Sequence, residues 1–511
     1  MKILMVTPEL DPFVKVGGLG DMVGALAKQL ARQGHDVRCV TPLYGSVKRV
    51  GTWTERTQPL GADLGSGAEF AKVWETVIPG SEARVYFLEH QRFFGRPEVY
   101  SNADGSFPDN DRRFTFFGRA ALNLCLQLGW IPDVIHCHDW TCGFVPVWLN
   151  TTDRDGPLGR CATVFTIHNL EHQGYCHRLA LAYAKLPDWL FSANNAEACG
   201  AVNLMKAGLY HSTKITTVSP TYAREIQTPA YGFGLDHVLR FRAGDLIGIL
   251  NGIDTEAWNP ASDPHLPASF DLTDTAPGKA ACKAALQREL GLDVDPRKPV
   301  FGVVSRLFRQ KGLDLLCEVL PAIVTNMQVQ FAILGTGDAD LETDLRHTAW
   351  EFPGRVGLKL AFDNRIAHLI QGGADFFVMP SRTEPCGLTQ LYAMRYGTLP
   401  VARATGGLVD TVEQYREGTD KGTGFLFNSA DENAVYHTIG WACATYYDRP
   451  EEFATLRANA MARDFSWPQS AEHYTQVYGW AVDARRVAPP FAVASPITPL
   501  PVAHPPAAPS S

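Results

Sequence analysis

The sequence predicts an α/β protein built from two doubly wound domains. Its 511 residues exceed what one ordinary hydrophobic core holds, so two large domains are expected. Short apolar runs rich in β-branched residues alternate with amphipathic stretches from the first residue, as in βα units around a mainly parallel sheet. The same pattern begins again near residue 300, so a second sheet of this kind follows the first.

The first half contains a clear helix and a series of buried strands. The helix is predicted over residues 21–33, because Met22, Leu26 and Leu30 fall on one face at helical spacing. Gly34 supplies its C-terminal stop. The strands are predicted at residues 2–7, 36–42, 84–88, 134–137, 163–168 and 214–219.

The second half contains a further series of strands behind a hinge and a loop. Residues 259–277, rich in Pro, Asp and Ala, predict a surface loop, and the hinge is placed just before it, at residues 244–251. The predicted domains are therefore 1–245 and 246–468. A tail over residues 487–511, rich in Pro, Ala and Ser, is predicted to be disordered. The strands are predicted at residues 300–305, 329–334, 357–361, 376–380 and 399–402.

The composition excludes several classes of protein. Apolar residues make up 45 % and charged residues 20 %, as in ordinary globular proteins. A formal net charge of −8 argues against a nucleic-acid or anionic-membrane surface, which would need clustered Lys and Arg. The 11 cysteines include no C-x-x-C pair, which indicates a reducing compartment. Without a secretory signal or an apolar run of about 18 residues, the chain is expected to be cytoplasmic.

Polar motifs follow the predicted strands, at the edge where open α/β sheets bind ligands. The first motif, PELDPFVKVGGLGD at residues 8–21, joins the first strand to the first helix. Its glycines let the backbone approach a ligand, the helix N-terminus favours an anion, and Lys15 adds a positive charge. The motif indicates a phosphate site, although a tight connection without a ligand fits the same spacing.

Three motifs of the second half also stand at strand ends. In VVSRLFRQKG, the cations of Arg306 and Lys311 could converge on one diphosphate, or form a solvated surface pair. In PSRTEPCGLTQ, Glu384 could bind sugar or ribose hydroxyls, and the amides after it face an anion. In ATGGLVDTV, Gly406 and Gly407 open a helix with a second set of such amides. Plain helix-start turns fit the last two motifs equally well.

Three further patterns give little support for a metal or a dinucleotide. HCHDW, at residues 136–140, resembles half a zinc site, but Cys142 completes no regular ligand spacing. ILGTGDAD, at residues 333–340, lacks the third glycine of a dinucleotide site. His168 ends a strand, where a lone His is more often a structural donor than a catalyst. We therefore expect no metal and no cofactor.

Taken together and in order, the motifs resemble the bacterial glycogen synthase and plant starch synthase family. The resemblance runs from Met1 to about Tyr478. Its most specific part is Lys-x-Gly-Gly-Leu near the N-terminus combined with Arg306, Lys311 and Glu-Pro-Cys-Gly-Leu. The matching segments are KVGGLGD, HCHDW, TIHNLEHQG, MKAGLY, TTVSPTYAREI, ILNGIDTEAWNP, SRLFRQKG, LGTGD, PSRTEPCGLTQLYAMRYG and TGGLVDTV.

The resemblance implies a GT-B fold, with two Rossmann-like domains facing across a deep cleft and a last helix, at residues 469–486, crossing back to the first domain. It implies retaining transfer of glucose from ADP-glucose, with UDP-glucose kept open, to the non-reducing 4-hydroxyl of an α-1,4-glucan such as glycogen. The implied catalytic residues are Glu384, His168, Asp139, Arg306 and Lys311. The implied donor-binding residues are Lys15, Gly18, Arg306, Lys311, Phe362, Leu388, Thr389, Gly406 and Gly407. Asp21 and Asn251 are implied for the acceptor and sugar region.

This chemistry is compatible with a site that contains no metal. Negative charge develops on the leaving phosphate and positive charge on the sugar ring, so cations and helix N-termini belong on one side. The sequence shows no pair of carboxylates like that of retaining glycosidases. Our hypothesis is attack by the acceptor hydroxyl on the face of departure, with the donor phosphate taking the proton. A covalent glucosyl adduct on Glu384 or Asp139 would contradict it.

Two positions depart from the family pattern, and two other functions compete. Thr141 stands where the family commonly has His, and Phe362 stands where it commonly has a Tyr that stacks on the nucleobase, which Phe can also do. One competitor is another two-domain sugar transferase or a sugar-nucleotide epimerase, which would make sucrose, trehalose phosphate or a lipid-linked sugar instead of a polymer. A glucan-binding protein on an inactive scaffold is the other, and the intact Arg306, Lys311 and Glu384 argue against it.

Overall fold

A computed structural model describes residues 1–102 and 104–487, which form two α/β domains. Of the predicted disordered tail, residues 488–511 lie outside the described residues. No helix in the described ranges is both long and apolar enough to cross a membrane.

The first domain is built on one large sheet. Its strands are β1 (Lys2–Val6), β2 (Asp36–Pro42), β3 (Thr54–Leu64), β4 (Gly67–Val77), β5 (Arg84–Glu89), β6 (Ser101–Asn102), β7 (Gly105–Ser106), β8 (Val134–His138), β9 (Ala162–Ile167), β10 (Tyr175–Cys176), β11 (Glu197–Ala198), β12 (Ala201–Asn203), β13 (Lys214–Thr217) and β14 (Leu246–Gly248). Its helices are α1 (Gly18–Arg32), α2 (Gln91–Phe94), α3 (Asn110–Gln127), α4 (Phe144–Asn150), α5 (Leu179–Tyr183), α6 (Leu204–His211), α7 (Pro220–Glu225) and α8 (Asp236–Phe241). The large sheet has the order β14-β13-β9-β8-β1-β2-β5-β4-β3, in which β4 pairs antiparallel with β3 and β5 and the other neighbours are parallel.

The second domain is built on a parallel sheet. Its strands are β15 (Val300–Val304), β16 (Gln330–Leu334), β17 (Val356–Lys359), β18 (Phe376–Met379), β19 (Leu399–Arg403) and β20 (Phe425–Phe427). The helices of the second half are α9 (Thr275–Glu289), α10 (Leu313–Asn326), α11 (Ala339–Glu351), α12 (Asn364–Gly373), α13 (Thr389–Arg395), α14 (Gly407–Thr411), α15 (Glu432–Asp448), α16 (Pro450–Met461) and α17 (Trp467–Val487). The order β17-β16-β15-β18-β19-β20 is that of a doubly wound dinucleotide-type sheet.

The predicted fold class is confirmed, and the buried parallel strands lie where the apolar runs predict them. β8, β9 and β16 are buried along their whole length, because helices cover both faces of a parallel sheet. The antiparallel strands β3 and β4 were not predicted from the sequence. Residues 246–248, predicted as part of the hinge, instead pair with β13 as a strand of the first sheet.

Helix α1 begins at Gly18, earlier than the predicted start at Asp21. A Cβ atom on Gly24 would lie 2.4 Å from the carbonyl oxygen of Asp11, and one on Gly20 would lie 3.2 Å from that of Val14. The glycines therefore let the loop before the helix fold back against the helix itself. Asp21 remains in the first turn, where a carboxylate is favoured by the helix dipole.

The last helix returns to the first domain. Buried residues of α17, including Tyr474 and Tyr478, join the hydrophobic core formed by α1, β1 and β2. Just before this helix, the carbonyl of Phe465 accepts a hydrogen bond from the Ile253 amide at 2.8 Å. The Ser470 hydroxyl donates to the Leu250 carbonyl at 2.7 Å. The two segments that connect the domains are thus bonded to each other.

Each sheet has one point among its parallel strands at which the chain order reverses. In the first domain this point lies between β1 and β8, and in the second it lies between β15 and β18. Ligands of doubly wound proteins bind outside the carboxyl ends of the strands at these points. The fold therefore places the most favourable binding position of each domain at the loops that follow these four strands.

Candidate active site

Four of the predicted motifs lie at the two reversal points. The glycine-rich loop follows β1, HCHDW ends β8, SRLFRQKG follows β15 and PSRTEPCGL follows β18. The two domains touch here, since a Cβ atom on Gly18 would lie 3.5 Å from the side chain of Leu388. Cys386 packs into the hydrophobic core of the first domain. The loops of both reversal points thus face one shared space.

A buried carboxylate, which the sequence analysis did not identify, holds the glycine-rich loop. Glu9 is 3 % exposed and accepts hydrogen bonds from the amides of Val16 at 2.6 Å and Gly17 at 3.0 Å. The Tyr100 hydroxyl donates to its other oxygen at 2.7 Å. Burial raises the pKa of Glu9, whereas these hydrogen bonds and the charge of Arg306 lower it. Arg306 of the second domain therefore lies within electrostatic reach of this loop.

The cation of the glycine-rich loop is paired within the loop. The Lys15 ammonium lies 2.6 Å from a carboxylate oxygen of Asp21. Burial raises the pKa of Asp21 to about 6, although the Lys15 charge opposes the shift. A ligand phosphate that binds Lys15 would therefore compete with Asp21 for the ammonium.

Asp139 occupies a strained position at the end of β8. Its φ of 58° lies in a region that residues with side chains rarely adopt, and such strain is concentrated at functional sites. The carboxylate is buried and accepts a hydrogen bond from the His168 amide at 2.8 Å. Burial, with a smaller contribution from the charge of Glu9, raises the pKa of Asp139 to about 8. The raised pKa favours the protonated form of Asp139, which can donate a hydrogen bond.

His168 belongs to a chain of three imidazole rings. Its Nε2 lies 3.1 Å from Nδ1 of His138, and the ring of His138 stacks obliquely on that of His136 at 4.1 Å. Nδ1 of His136 lies 2.9 Å from the hydroxyl of Tyr478 on α17. Burial lowers the pKa of His168 to about 3 and that of His136 to about 3, so both rings are neutral. The returning helix thus supports this side of the site.

Lys311 and Glu384 form an ion pair at the second reversal point. The Lys311 ammonium lies 2.8 and 2.7 Å from the two carboxylate oxygens, and the Ser381 hydroxyl donates to one of them at 3.0 Å. Glu384 is 5 % exposed. Lys311 was predicted to bind the diphosphate of the donor, and in the structure its ammonium is already bound to the predicted sugar-binding carboxylate.

Of the two cations predicted to bind the diphosphate, Arg306 is the more available to a ligand. It is exposed, and its guanidinium carbon lies 5.2 Å from the ring centroid of Phe308. In the described part of the chain, it forms no ion pair with a carboxylate within 4.0 Å. A guanidinium at a strand end that has no acidic partner is suited to bind a diphosphate through bidentate hydrogen bonds.

The amides of the Gly406–Gly407 turn already have partners. The Gly406 amide donates to a carboxylate oxygen of Glu225 in the first domain at 3.0 Å. The Gly407 amide donates to the backbone carbonyl of Glu384 at 3.1 Å. Neither amide is free for a ligand in this conformation, and the role of both glycines in donor binding stays a prediction.

The other predicted residues differ in exposure. Asn251 is buried, and its side-chain oxygen has no hydrogen-bond partner within the described residues. Phe362 is 90 % exposed, so its ring is free to stack on a planar ligand. Leu388 packs against the cores of both domains, and the Thr389 hydroxyl lies 3.6 Å from the Met379 sulfur. Their contacts with substrate also remain predictions.

Residues 1–102 and 104–487 contain no group of three or more His, Cys, Asp or Glu side chains that could hold a metal ion. Of the histidines of HCHDW, His136 instead bonds to Thr166 and Tyr478, and His138 bonds to His168.

Comparison with known proteins identifies the family. Residues 2–241 match the family described as starch synthase catalytic domain, and residues 298–444 match glycosyl transferases group 1. Glycogen synthase 1 of Geobacter sulfurreducens is 45 % identical over 491 residues, which are 95 % of this chain and 97 % of the relative. Glycogen synthase of Treponema denticola is 40 % identical, over 95 % of this chain and 99 % of the relative.

Solved structures show the same relationship. The catalytic domain of starch synthase IV from Arabidopsis thaliana, bound to ADP and acarbose, has a TM-score of 0.87 and 36 % identity, over 94 % of this chain and 99 % of that one. Sucrose-phosphate synthase from Thermosynechococcus elongatus, at 20 % identity and a TM-score of 0.59, shares the fold over 94 % of this chain and 99 % of that one. The predicted GT-B architecture and the predicted resemblance are both confirmed. The chain belongs to the glycogen synthase and starch synthase family of glycosyltransferases.

Proposed function

We propose that this chain is a glycogen synthase that transfers glucose from ADP-glucose, with retention, to the non-reducing 4-hydroxyl of an α-1,4-glucan. The observation that carries the proposal is the arrangement of charge at the shared space. Arg306 and the Lys311–Glu384 pair lie at the reversal point of one sheet, and the loop held by Glu9 lies at that of the other. Cations beside a carboxylate suit a sugar diphosphate, because the cations can bind its negative diphosphate and the carboxylate can bind its sugar hydroxyls.

The protonation states support attack on the face of departure. The C1–oxygen bond to the donor phosphate breaks as the acceptor 4-oxygen bonds to C1, and the 4-hydroxyl proton passes to an oxygen of the leaving phosphate. Arg306 stabilises the charge of that phosphate. The Glu384 carboxylate is already bonded to Lys311 and Ser381, and burial favours the neutral form of Asp139. The proposed step needs neither group as a nucleophile.

The choice of ADP-glucose rests on the family motif and on one relative. Starch synthase IV from Arabidopsis thaliana has been solved with ADP, and it is 36 % identical to this chain. The exposed ring of Phe362 offers a stacking face for a nucleobase.

We further propose that the reaction takes place in the cytoplasm and requires no metal ion.

The decisive experiment measures incorporation of labelled glucose into glycogen primer. ADP-glucose and UDP-glucose are supplied in parallel, each with and without EDTA. Glu384→Ala is compared with Glu318→Ala, because Glu318 is an exposed glutamate of the same domain on α10. We expect elongation from ADP-glucose that survives EDTA and Glu318→Ala and is lost in Glu384→Ala.

Other outcomes would redirect the proposal. Elongation from UDP-glucose alone would contradict the donor. Transfer of glucose to maltose or fructose but not to glycogen would favour a transferase for small acceptors. Silence with both donors, together with retained binding of glycogen, would favour a glucan-binding protein on an inactive scaffold. Trapping of a covalent glucosyl enzyme would contradict the proposed step.

A further inference from the structure

A pair of carboxylates joins the two domains beside the candidate active site. From α7 in the first domain, Glu225 accepts hydrogen bonds from the Gly406 amide at 3.0 Å and the Thr405 hydroxyl at 3.3 Å. From α14 in the second domain, Asp410 accepts hydrogen bonds from the Thr221 amide at 2.8 Å and the Thr221 hydroxyl at 2.7 Å. Each domain thus supplies one carboxylate to the backbone of the other.

The turn that Glu225 contacts is packed tightly on the backbone of Glu384. The Gly407 amide donates to the Glu384 carbonyl at 3.1 Å. A Cβ atom on Gly406 would lie 2.0 Å from the same carbonyl oxygen, and the φ of Gly406 is 47°. Because only glycine fits this approach and this backbone angle, the position of the turn and the position of Glu384 are fixed together.

The hydrogen bonds that Glu225 accepts hold the Gly406–Gly407 turn in place. The acceptor is half-buried, and a hydrogen bond to an ionised carboxylate is stronger than one between neutral groups. Burial raises the pKa of Glu225, and the bonds to Gly406 and Thr405 lower it. Arg403, which stands just before the turn, also donates to the Tyr231 hydroxyl of the first domain at 3.2 Å. The turn is therefore tied to the first domain at more than one point.

We infer that Glu225 is a positioning residue for glucosyl transfer, which acts through the Gly406–Gly407 turn on the orientation of Glu384. The inference rests on the proposed function of the site. Glu225 does not need to touch substrate for this role. It holds a turn of the second domain at a fixed place relative to the first, and that turn supports the backbone from which the Glu384 carboxylate projects.

The test compares Glu225→Ala and Glu225→Gln with Glu82→Ala, in which an exposed glutamate of the same domain is removed. Steady-state kinetics with ADP-glucose and glycogen supply kcat and KM. We expect kcat to fall 10-fold or more in Glu225→Ala, with the KM for glycogen within 2-fold of wild type. Glu225→Gln should recover most of the lost kcat, because its amide oxygen can accept the same two bonds.

Hydrogen exchange gives a readout that does not depend on turnover. Amide exchange across residues 381–388 is measured by mass spectrometry in the three variants and the wild type. We expect faster exchange of this segment in Glu225→Ala and wild-type exchange in Glu225→Gln and Glu82→Ala. Unchanged exchange in Glu225→Ala, or equal impairment of the Ala and Gln variants, would overturn the inference. If the wild type makes no glucan, the proposed function fails, and the exchange result still decides the positioning role.

Discussion

Removing the ammonium of Lys311 should reveal how strongly the second domain depends on its ion pair. In Lys311→Ala, the Glu384 carboxylate remains 5 % exposed in the native geometry, with the Ser381 hydroxyl at 3.0 Å as its hydrogen-bond partner. Breaking a buried ion pair from one side costs about 3–5 kcal/mol. Because the Lys311 side chain is 20 % exposed, water can enter as it leaves, and we expect the lower end, about 3 kcal/mol. For a domain of this size that corresponds to a fall of roughly 6–12 °C in melting temperature.

A double-mutant cycle separates the unpaired charge from other effects. In Lys311→Ala/Glu384→Ala no carboxylate is left behind, so the loss of stability should be smaller than the sum of the single losses by about 1 kcal/mol or more. Activity should fall at least about 100-fold in all three variants, because each lacks at least one member of the pair that is proposed to act on the donor. Thermal melts at pH 7 and labelled-glucose incorporation are the assays. Additive losses of stability, or near wild-type activity in Lys311→Ala, would refute the reasoning.

Three other substitutions test separate parts of the site. The pKa of Asp139 is raised to about 8 from an ordinary 3.8, so the folded state binds an extra proton between these pH values and its stability falls as the pH rises. In Asp139→Asn this fall should be smaller in thermal melts at pH 5, 7 and 9. An unchanged dependence of stability on pH would contradict the burial argument. Glu9→Ala leaves three hydrogen-bond donors unpaired, so we expect the free energy of unfolding in denaturant to fall by about 3 kcal/mol. The KM for ADP-glucose should also rise. Wild-type values of both quantities would be the contrary result. Phe362→Ala should leave the melting temperature unchanged, because the ring is 90 % exposed. It should raise the KM for ADP-glucose about 5-fold, because about 1 kcal/mol of stacking on the nucleobase is lost. An unchanged KM would rule out a stacking role.

The buried strands could be predicted from the sequence because a covered parallel sheet requires continuous apolar runs. Strand β3 gives no such signal, since most of its residues are exposed and Pro59 interrupts it. It lies at the edge of the sheet, where proline is tolerated, and its pairing with β4 shifts register between Arg56 and Leu60. Local pattern therefore predicts the centre of the sheet and misses its antiparallel edge.

The same division applies to the site. The motifs at strand ends could be identified, because sheet topology brings the carboxyl ends of neighbouring strands together. Their partners could not, because the bond from Lys311 to Glu384 spans 73 residues of sequence and the bond from Gly406 to Glu225 spans 181. Glu9 lies within the first motif, yet only the folded loop shows that its carboxylate receives the amides of Val16 and Gly17.

The paired connection between the domains limits how the cleft can change shape. The chain passes from one domain to the other after β14 and returns before α17, and the bonds from Ile253 to Phe465 and from Ser470 to Leu250 hold the two passages side by side. Two tied segments can bend together about one line, whereas sliding or twisting one against the other would break these bonds. A bend about that line would change the separation of Lys15 in the first domain and Arg306 in the second.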